Sequence, residues 1–266
     1  MINSLLDIIL SISEIHIILP VAILAVFLVA ISKSGFGGGL GSLGLPVMVF
    51  AVPPKFAIAV LLPLYLVTDV FVAYSWRKFP VLKILKFMVF GGIVGQILGW
   101  LCFEYLEDRY ILILIGFLAL FTVGKYIKSE FFNKIIKKEK INKIKATFIR
   151  SIIWCGFSGF SSFVALTGGI PAQIFLLPVG LERQAFVGTM SFYFLIINLA
   201  KLPFFFNLNV FSSKSIILSL ILIPVLPFGI FLGKWLNNKL SDRLFYHISH
   251  GALFLCGVNL IIKQIL

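Results

Sequence analysis

Long apolar stretches separated by short polar turns make up most of the chain. A helix needs about 20 predominantly apolar residues to cross a membrane. Six stretches approach or exceed that length: 56–76, 85–103, 110–127, 184–206, 212–235 and 244–262. Two more apolar stretches, 17–31 and 148–157, lead into segments rich in glycine or serine. The pattern predicts an all-α polytopic membrane protein with about seven or eight transmembrane helices.

The stretch from Lys33 to Pro46, KSGFGGGLGSLGLP, carries six glycines between Gly35 and Gly44. Glycine frees the backbone from helical geometry and lets other groups approach closely. At membrane depth, non-helical backbone is tolerated only where protein or a water-filled cavity surrounds it. We therefore interpret this stretch as a broken or re-entrant helix that lines a substrate site.

Composition supports a membrane protein and excludes several other classes. Hydrophobic residues make up 60% and charged residues 12% of the chain, whereas soluble domains have about 25% charged residues. The net charge of +13 comes from basic loops between apolar stretches, which is typical of cytoplasmic loops, so no nucleic-acid partner is expected. The cysteines and histidines show no disulfide or metal spacing. No G-x-x-x-x-G-K-[ST] motif is present, and we expect no metal and no cofactor.

The chain reads as two similar halves, 1–127 and 148–266, joined by a basic cytoplasmic loop over 128–147. Gly95 and Gly99 of the first half reappear as Gly229 and Gly233 in the second. The glycine stretch has its counterpart in the serine- and glycine-containing segment 158–171, where Ser158–Ser162 interrupts the apolar run. Transporters are often built from such repeats, with the substrate site at the repeat interface.

Loop charge leaves two arrangements of the halves open. If 17–52 crosses the membrane once, each half has four crossings and the halves are parallel. If it dips in and returns, each half has three crossings and the halves are inverted. Loop charge favours the inverted arrangement, because it places the basic turn at 234–243 on the cytoplasmic side.

The glycine motif resembles a known family signature. Lys33-Ser-Gly-Phe-Gly-Gly-Gly followed by Leu45-Pro46 is similar to the first signature of the sulfite exporter TauE/SafE family. In the second half, a similar match to that family's second signature comes from Gly168-Gly169-Ile-Pro171, Ala185, Gly188-Thr189, Asn198 and Lys201. The resemblance implies a multi-pass transporter of the cell inner (plasma) membrane for small sulfur-containing anions such as sulfite, sulfoacetate and thiosulfate.

An oxyanion at membrane depth needs positive potential and N–H donors. Helix N-termini supply both, and we expect such ends near Leu40 and near Ile170. The lysines of the two signatures add full charge. The candidate substrate-binding residues are Lys33, Ser34, Gly37, Gly38, Gly39, Thr167, Gly168, Gly169, Gln173, Thr189, Asn198 and Lys201.

Each of these residues also has a purely structural interpretation. Lys33 suits a helix C-terminus or a lysine that reaches to the membrane interface, and Lys201 suits an anchor at a helix end. The uncharged polar residues are as well explained by helix–helix hydrogen bonds. Asp69 is a candidate for coupling transport to a proton, because an acid within a span marks an ion pathway. Its alternatives are a structural pair with a lysine and a position near the interface.

The leading functional hypothesis is a secondary transporter driven by an ion gradient. The alternative is a passive channel for small anions or neutral solutes, which would use the same broken helices without coupling. We expect no enzymatic activity, because no catalytic set of Ser, His, Asp or Cys has workable spacing. Oligomeric state is left open, and a homo-oligomer is one alternative.

Overall fold

A computed structural model describes residues 15–36, 43–135, 145–239, 251, 254–255 and 257–262. These residues form helices joined by short turns, with no strand among them. Six helices in the described ranges are long and apolar enough to cross a membrane, and a bent helix pair would make a seventh. The prediction of an all-α polytopic membrane protein is confirmed, while most of the last predicted span, 244–262, lies outside the described residues.

The helices follow one another with few long connections. The first five are α1 (Ile15–Phe36), α2 (Gly44–Met48), α3 (Pro54–Ser75), α4 (Leu82–Phe103) and α5 (Asp108–Ile135). The next five are α6 (Phe148–Ala165), α7 (Gly169–Leu176), α8 (Arg183–Asn207), α9 (Ser213–Leu222) and α10 (Val225–Lys239). A 3-10 turn, Leu177–Val179, extends α7, α9 and α10 bend by 49° at their junction, and residues 257–262 are helical.

Both predicted interruptions lie later in the chain than expected. Helix α1 continues through Lys33 to Phe36, the last described residue before the gap at 37–42. Helix α6 passes without a break through the serine-rich segment 158–162 and ends at Ala165; the next residue, Leu166, has a left-handed φ of 51°. The hydroxyl of Ser161 donates to the carbonyl of Phe157 one turn earlier, so this serine is satisfied inside the helix. Helix α5 likewise runs to Ile135, into the stretch assigned to the central loop.

Small residues bring α4 and α6 into very close contact. Gly91 lies against the Ser151 carbonyl, and a Cβ added at Gly95 would overlap the carbonyl oxygen of Gly156. The order of these contacts shows that the two helices run parallel. Close approach through glycine is how membrane helices gain packing energy without a hydrophobic driving force between them.

A second seam of the same kind joins α10 to α1. Gly229 lies against Ala30, and Gly233 lies against Ser34, so these helices are also parallel. The pairing is reciprocal. The helix with the glycine repeat in each predicted half packs on the first helix of the other half.

Helices α1, α3 and α10 run in one direction. The Ser219 hydroxyl of α9 donates to the carbonyl of Val60, early in α3. Further along the same helices, the Lys234 ammonium of α10 donates to the hydroxyl of Ser75 at the end of α3. The α9–α10 pair therefore runs parallel to α3. Because α10 is also parallel to α1, all three helices share one direction.

Helices α4, α6 and α8 are parallel to one another. The Val81 N–H, at the start of α4, donates to the Thr189 hydroxyl near the start of α8. Towards the other end, the rings of Trp100 and Phe204 lie 5.2 Å apart. Helix α6 shares this direction through its contact with α4.

The two groups of helices run in opposite directions. Lys55, at the start of α3, lies over the ring of Phe103 at the end of α4, so α3 and α4 are antiparallel. The first helices of the two predicted halves, α1 and α6, therefore have opposite directions, as in the inverted arrangement. Because α1 and α3 are parallel, the chain between them returns across the bundle, and 166–182 does the same between α6 and α8.

The glycine seam gives a direct test of packing. We expect Gly95→Ala to destabilise the protein by about 1–3 kcal/mol, the usual cost of overpacking, because the added methyl meets backbone. Gly124→Ala is the matched control, since no atom of the described residues lies within 4 Å of a Cβ there. Both variants share the gain of about 1 kcal/mol from helix propensity. Reversible unfolding in mixed detergent measures the difference, and equal stabilities would contradict the seam.

Helix direction can be tested by labelling from the two sides of the membrane. In a cysteine-free background, we expect Pro53→Cys and Asp108→Cys to react with an impermeant maleimide on the same side. Leu181→Cys should react only from the opposite side, because α8 starts beside the turn at Phe79 and Pro80. Reaction of all three positions from one side would contradict the inverted arrangement.

Candidate functional site

A buried ion pair lies between α1 and α3. The Lys33 ammonium is 2.7 Å from Asp69 Oδ1, and both side chains are almost fully buried. The amide of Asn198, from α8, donates to the second carboxylate oxygen at 2.6 Å. The pair thus joins three helices, and both oxygens of the carboxylate accept a hydrogen bond.

Lys201 extends this group by one more turn of α8. Its ammonium donates to Asn198 Oδ1 and to the Ser162 hydroxyl of α6, each at 2.8 Å. The side chain is fully buried. Within the described ranges, no carboxylate lies at ion-pair distance from it. We call Lys33, Asp69, Asn198, Lys201 and Ser162 the charged cluster; it contains two lysines and one aspartate.

The cluster exists because two helices end where two others pass. Lys33 lies in the last turn of α1, where the helix dipole favours a cation. Ser162 lies one turn before the end of α6, and α6 approaches from the opposite direction. Asp69 and Lys201 lie well inside α3 and α8. The two helix ends therefore meet in the interior of the bundle.

Aromatic rings complete the surroundings of Lys33. Its ammonium lies 4.3 Å from the centre of the Tyr65 ring and 5.7 Å from that of Phe194. A cation over an aromatic face is stabilised, most strongly where water is excluded. Tyr65 and Phe194 each stand four residues before a cluster residue, Asp69 and Asn198, and so share its helix face.

A small polar cavity opens beside the cluster. Its volume is about 10 Å³, enough for about one water molecule. The first residue of α7 contributes to its wall, so the start of that helix faces the charged groups. The cavity is lined by Lys33, Tyr65, Ser162, Leu166, Gly169, Phe194 and Asn198.

A larger cavity lies elsewhere, between α5, α6 and α7. Its volume is about 280 Å³, and its wall is apolar except for Thr167 and the indole of Trp154. It offers no charged group to an anion. The small cavity beside the charged cluster is therefore the candidate anion site, although it is far the smaller of the two.

The structure brings five of the predicted residues together. Lys33, Gly169 and Asn198 line the small cavity, and Asp69 and Lys201 bond directly to cluster members. Asp69 has the lysine partner that its structural alternative predicted. Asp69 is buried within the bundle, and its alternative position near the membrane interface stays a prediction.

The other predicted residues have backbone partners or lie apart. Ser34 donates to the Ala30 carbonyl, and Thr167 to the Ser161 carbonyl. Thr189 joins α8 to the start of α4 through its bond from Val81. The Gly168 carbonyl accepts from Ser158, and Gln173 is half-buried outside the cavity wall. Gly37, Gly38 and Gly39 lie outside the described residues.

The expected helix N-termini are only partly recovered. Helix α7 begins at Gly169, next to the expected Ile170. In the first half, α2 begins at Gly44 and has five residues, whereas the prediction placed its start near Leu40. Residues 37–42, between α1 and Leu43, lie outside the described residues.

Sequence reasoning missed four residues of the cavity wall: Tyr65, Ser162, Leu166 and Phe194. The two aromatic residues carried a usable signal, the four-residue spacing to Asp69 and Asn198. Ser162 was noted only as part of an interruption, and nothing in the sequence pairs it with Lys201. Among the described residues, no group of three or more His, Cys, Asp or Glu could hold a metal ion.

Comparison with protein-family models gives one match, to sulfite exporter TauE/SafE, over residues 22–260. The chain belongs to this family. Membership in TauE/SafE implies an exporter-type membrane transporter with a small anionic substrate, and it agrees with the multi-pass helices described above. Comparison with curated proteins and with solved structures gave no match.

The buried pair can be tested by a double-mutant cycle. Lys33→Met leaves the Asp69 carboxylate buried without its cation, and we expect a loss of about 3–5 kcal/mol in unfolding free energy. Combining Lys33→Met with Asp69→Asn removes both charges, so the double variant should be more stable than Lys33→Met alone. Unfolding in mixed detergent measures each variant. Additive losses would show that the two side chains do not interact.

Proposed function

We propose that this TauE/SafE protein is a secondary transporter of small sulfur oxyanions and organosulfonates, of the sulfite, sulfoacetate and thiosulfate class, driven by a proton gradient. One observation carries the proposal. The charged cluster holds two buried lysines against one buried carboxylate, and the other buried side chains of the described residues are uncharged. Ionisable groups at membrane depth are costly and mark substrate or ion pathways.

The anion binds, in this proposal, between the ammonium groups of Lys33 and Lys201. The start of α7 adds N–H donors, since the first N–H groups of a helix have no partner within it and the dipole is positive there. Gly169, the first residue of α7, has no side chain to separate its backbone from the cavity that it lines. The hydroxyl of Ser162 and the amide of Asn198 already hold the Lys201 head and are within reach of the same anion.

The small cavity and the Lys33–Asp69 pair suggest how anion binding is coupled to proton binding. About 10 Å³ does not admit a sulfur oxyanion, so the described conformation is closed with Lys33 held by Asp69. An entering anion competes with the carboxylate for the lysine. A proton on Asp69 releases Lys33 to the anion, which links the two binding events and makes Asp69 the coupling residue.

The arrangement of helices supports alternating access. The cluster lies where the two groups of helices, which run in opposite directions, meet. Transporters with inverted repeats rock around a central site of this kind. A passive channel is the second candidate, but a closed and charged cavity does not favour a continuous pore. In this proposal the protein lies in the plasma membrane, with the basic segments 77–86, 128–147 and 234–243 on the cytoplasmic side, as the positive-inside rule favours.

The site proposal is tested by removing the Lys33 charge. We expect Lys33→Gln to lower sulfite flux into proteoliposomes about tenfold or more, because a charge-assisted hydrogen bond of about 1.5–3 kcal/mol is lost. Lys86→Gln, at an exposed position of α4, is the control and should transport normally. Normal flux in a well-inserted Lys33→Gln protein would place the site elsewhere.

Saturation separates a transporter from a channel. Sulfite flux should saturate and should accelerate when a pH gradient is imposed, because each sulfite dianion binds and leaves together with a proton on Asp69. Flux that rises linearly with concentration and ignores the gradient would favour the passive channel.

A further inference from the structure

The charges within the cluster do not balance. Asp69 is faced by Lys33 from α1, by Lys201 from α8 and by Tyr65 from its own helix. With both lysines protonated and the carboxylate ionised, the cluster carries one surplus positive charge. Such a charge is costly in a membrane interior unless a negative charge compensates it.

The surplus belongs to Lys201. Lys33 has Asp69 at 2.7 Å. Among the described residues, the Lys201 ammonium donates only to the neutral oxygens of Asn198 and Ser162. Both of these residues line the small cavity. In its ammonium form, Lys201 is a buried cation next to the cavity, and in this proposal its counter-charge comes from the ligand.

Resting on the transport function proposed above, we propose that Lys201 makes the site selective by charge and fixes how many protons accompany each substrate. An anion with one negative charge balances Lys201 and binds with Asp69 ionised. An anion with two negative charges needs a second compensating charge. It binds together with one proton, which converts the Asp69 carboxylate to the acid and leaves both lysines for the anion.

Two probes isolate charge from shape. Methanesulfonate and thiosulfate both present a three-oxygen sulfur group, with a methyl group in one where the other has sulfur. Methanesulfonate carries one negative charge and thiosulfate two, and neither changes charge near neutral pH. Differences in proton count between them therefore report anion charge.

The experiment uses the full chain in liposomes that enclose a pH-sensitive dye. Uptake of each radiolabelled anion is compared with the protons that enter at the same time. We expect one proton for each thiosulfate and none for methanesulfonate. Proton entry with methanesulfonate, or thiosulfate uptake without protons, would overturn the inference.

Lys201→Gln should change the number of protons that enter with each anion. Without the surplus charge, methanesulfonate should enter with one proton, and thiosulfate uptake should fall about tenfold or more, in line with loss of a charge-assisted contact. Lys86→Gln removes a lysine charge at an exposed position and should keep the wild-type counts. Unchanged counts in Lys201→Gln would show that Lys201 does not set the charge.

A second variant keeps the test decisive if Lys201→Gln does not fold. Asp69→Asn is permanently neutral, so it should take up thiosulfate without proton entry. A proton count of one in Asp69→Asn would overturn the inference. If wild-type protein moves neither probe nor sulfite faster than protein-free liposomes, the transport function itself fails, which is a separate result.

Discussion

A charged group inside a membrane has to be compensated, and this requirement fixes the relative placement of four helices in this protein. The Lys33–Asp69 pair is buried, and each partner would be costly alone. Asn198 satisfies the second carboxylate oxygen and also orients the head of Lys201. Four helices, α1, α3, α6 and α8, must therefore keep their relative positions to within a hydrogen bond.

The glycine seams provide that precision. Helix α4 holds α6 through Gly95, and α10 holds α1 through Gly233. These contacts lie within the helices that carry Ser162 and Lys33, so backbone packing fixes where the cluster forms. Helix breaks then place the start of α7 at the same point, with Gly169 in the cavity wall. Glycine packing, the start of α7 and the charged cluster together define one small cavity.

The sequence was informative where a single helix determines the outcome. Span-length apolar runs and loop charge predicted the helices and favoured their inverted order, and Asp69 and Lys201 stood out as charges inside apolar sequence. The sequence was misleading where the partner of a side chain comes from a distant part of the chain. Serines in 158–162 resemble a break, but Ser161 bonds back within its helix, and Ser162 acquires its partner only in the folded bundle. Thr189, expected near substrate, instead binds the turn before α4.

The reciprocal seams also constrain how the chain is assembled. During synthesis, α1 and α4 emerge long before the helices that cover them, so their small-residue faces have only lipid to contact. Helix α4 acquires its partner when α6 is made, and α1 must wait for α10, close to the end of translation. The predicted first half, 1–127, would therefore be an incomplete folding unit on its own. Cutting the chain in the central basic segment would leave two fragments held together by both seams, interlocked rather than side by side.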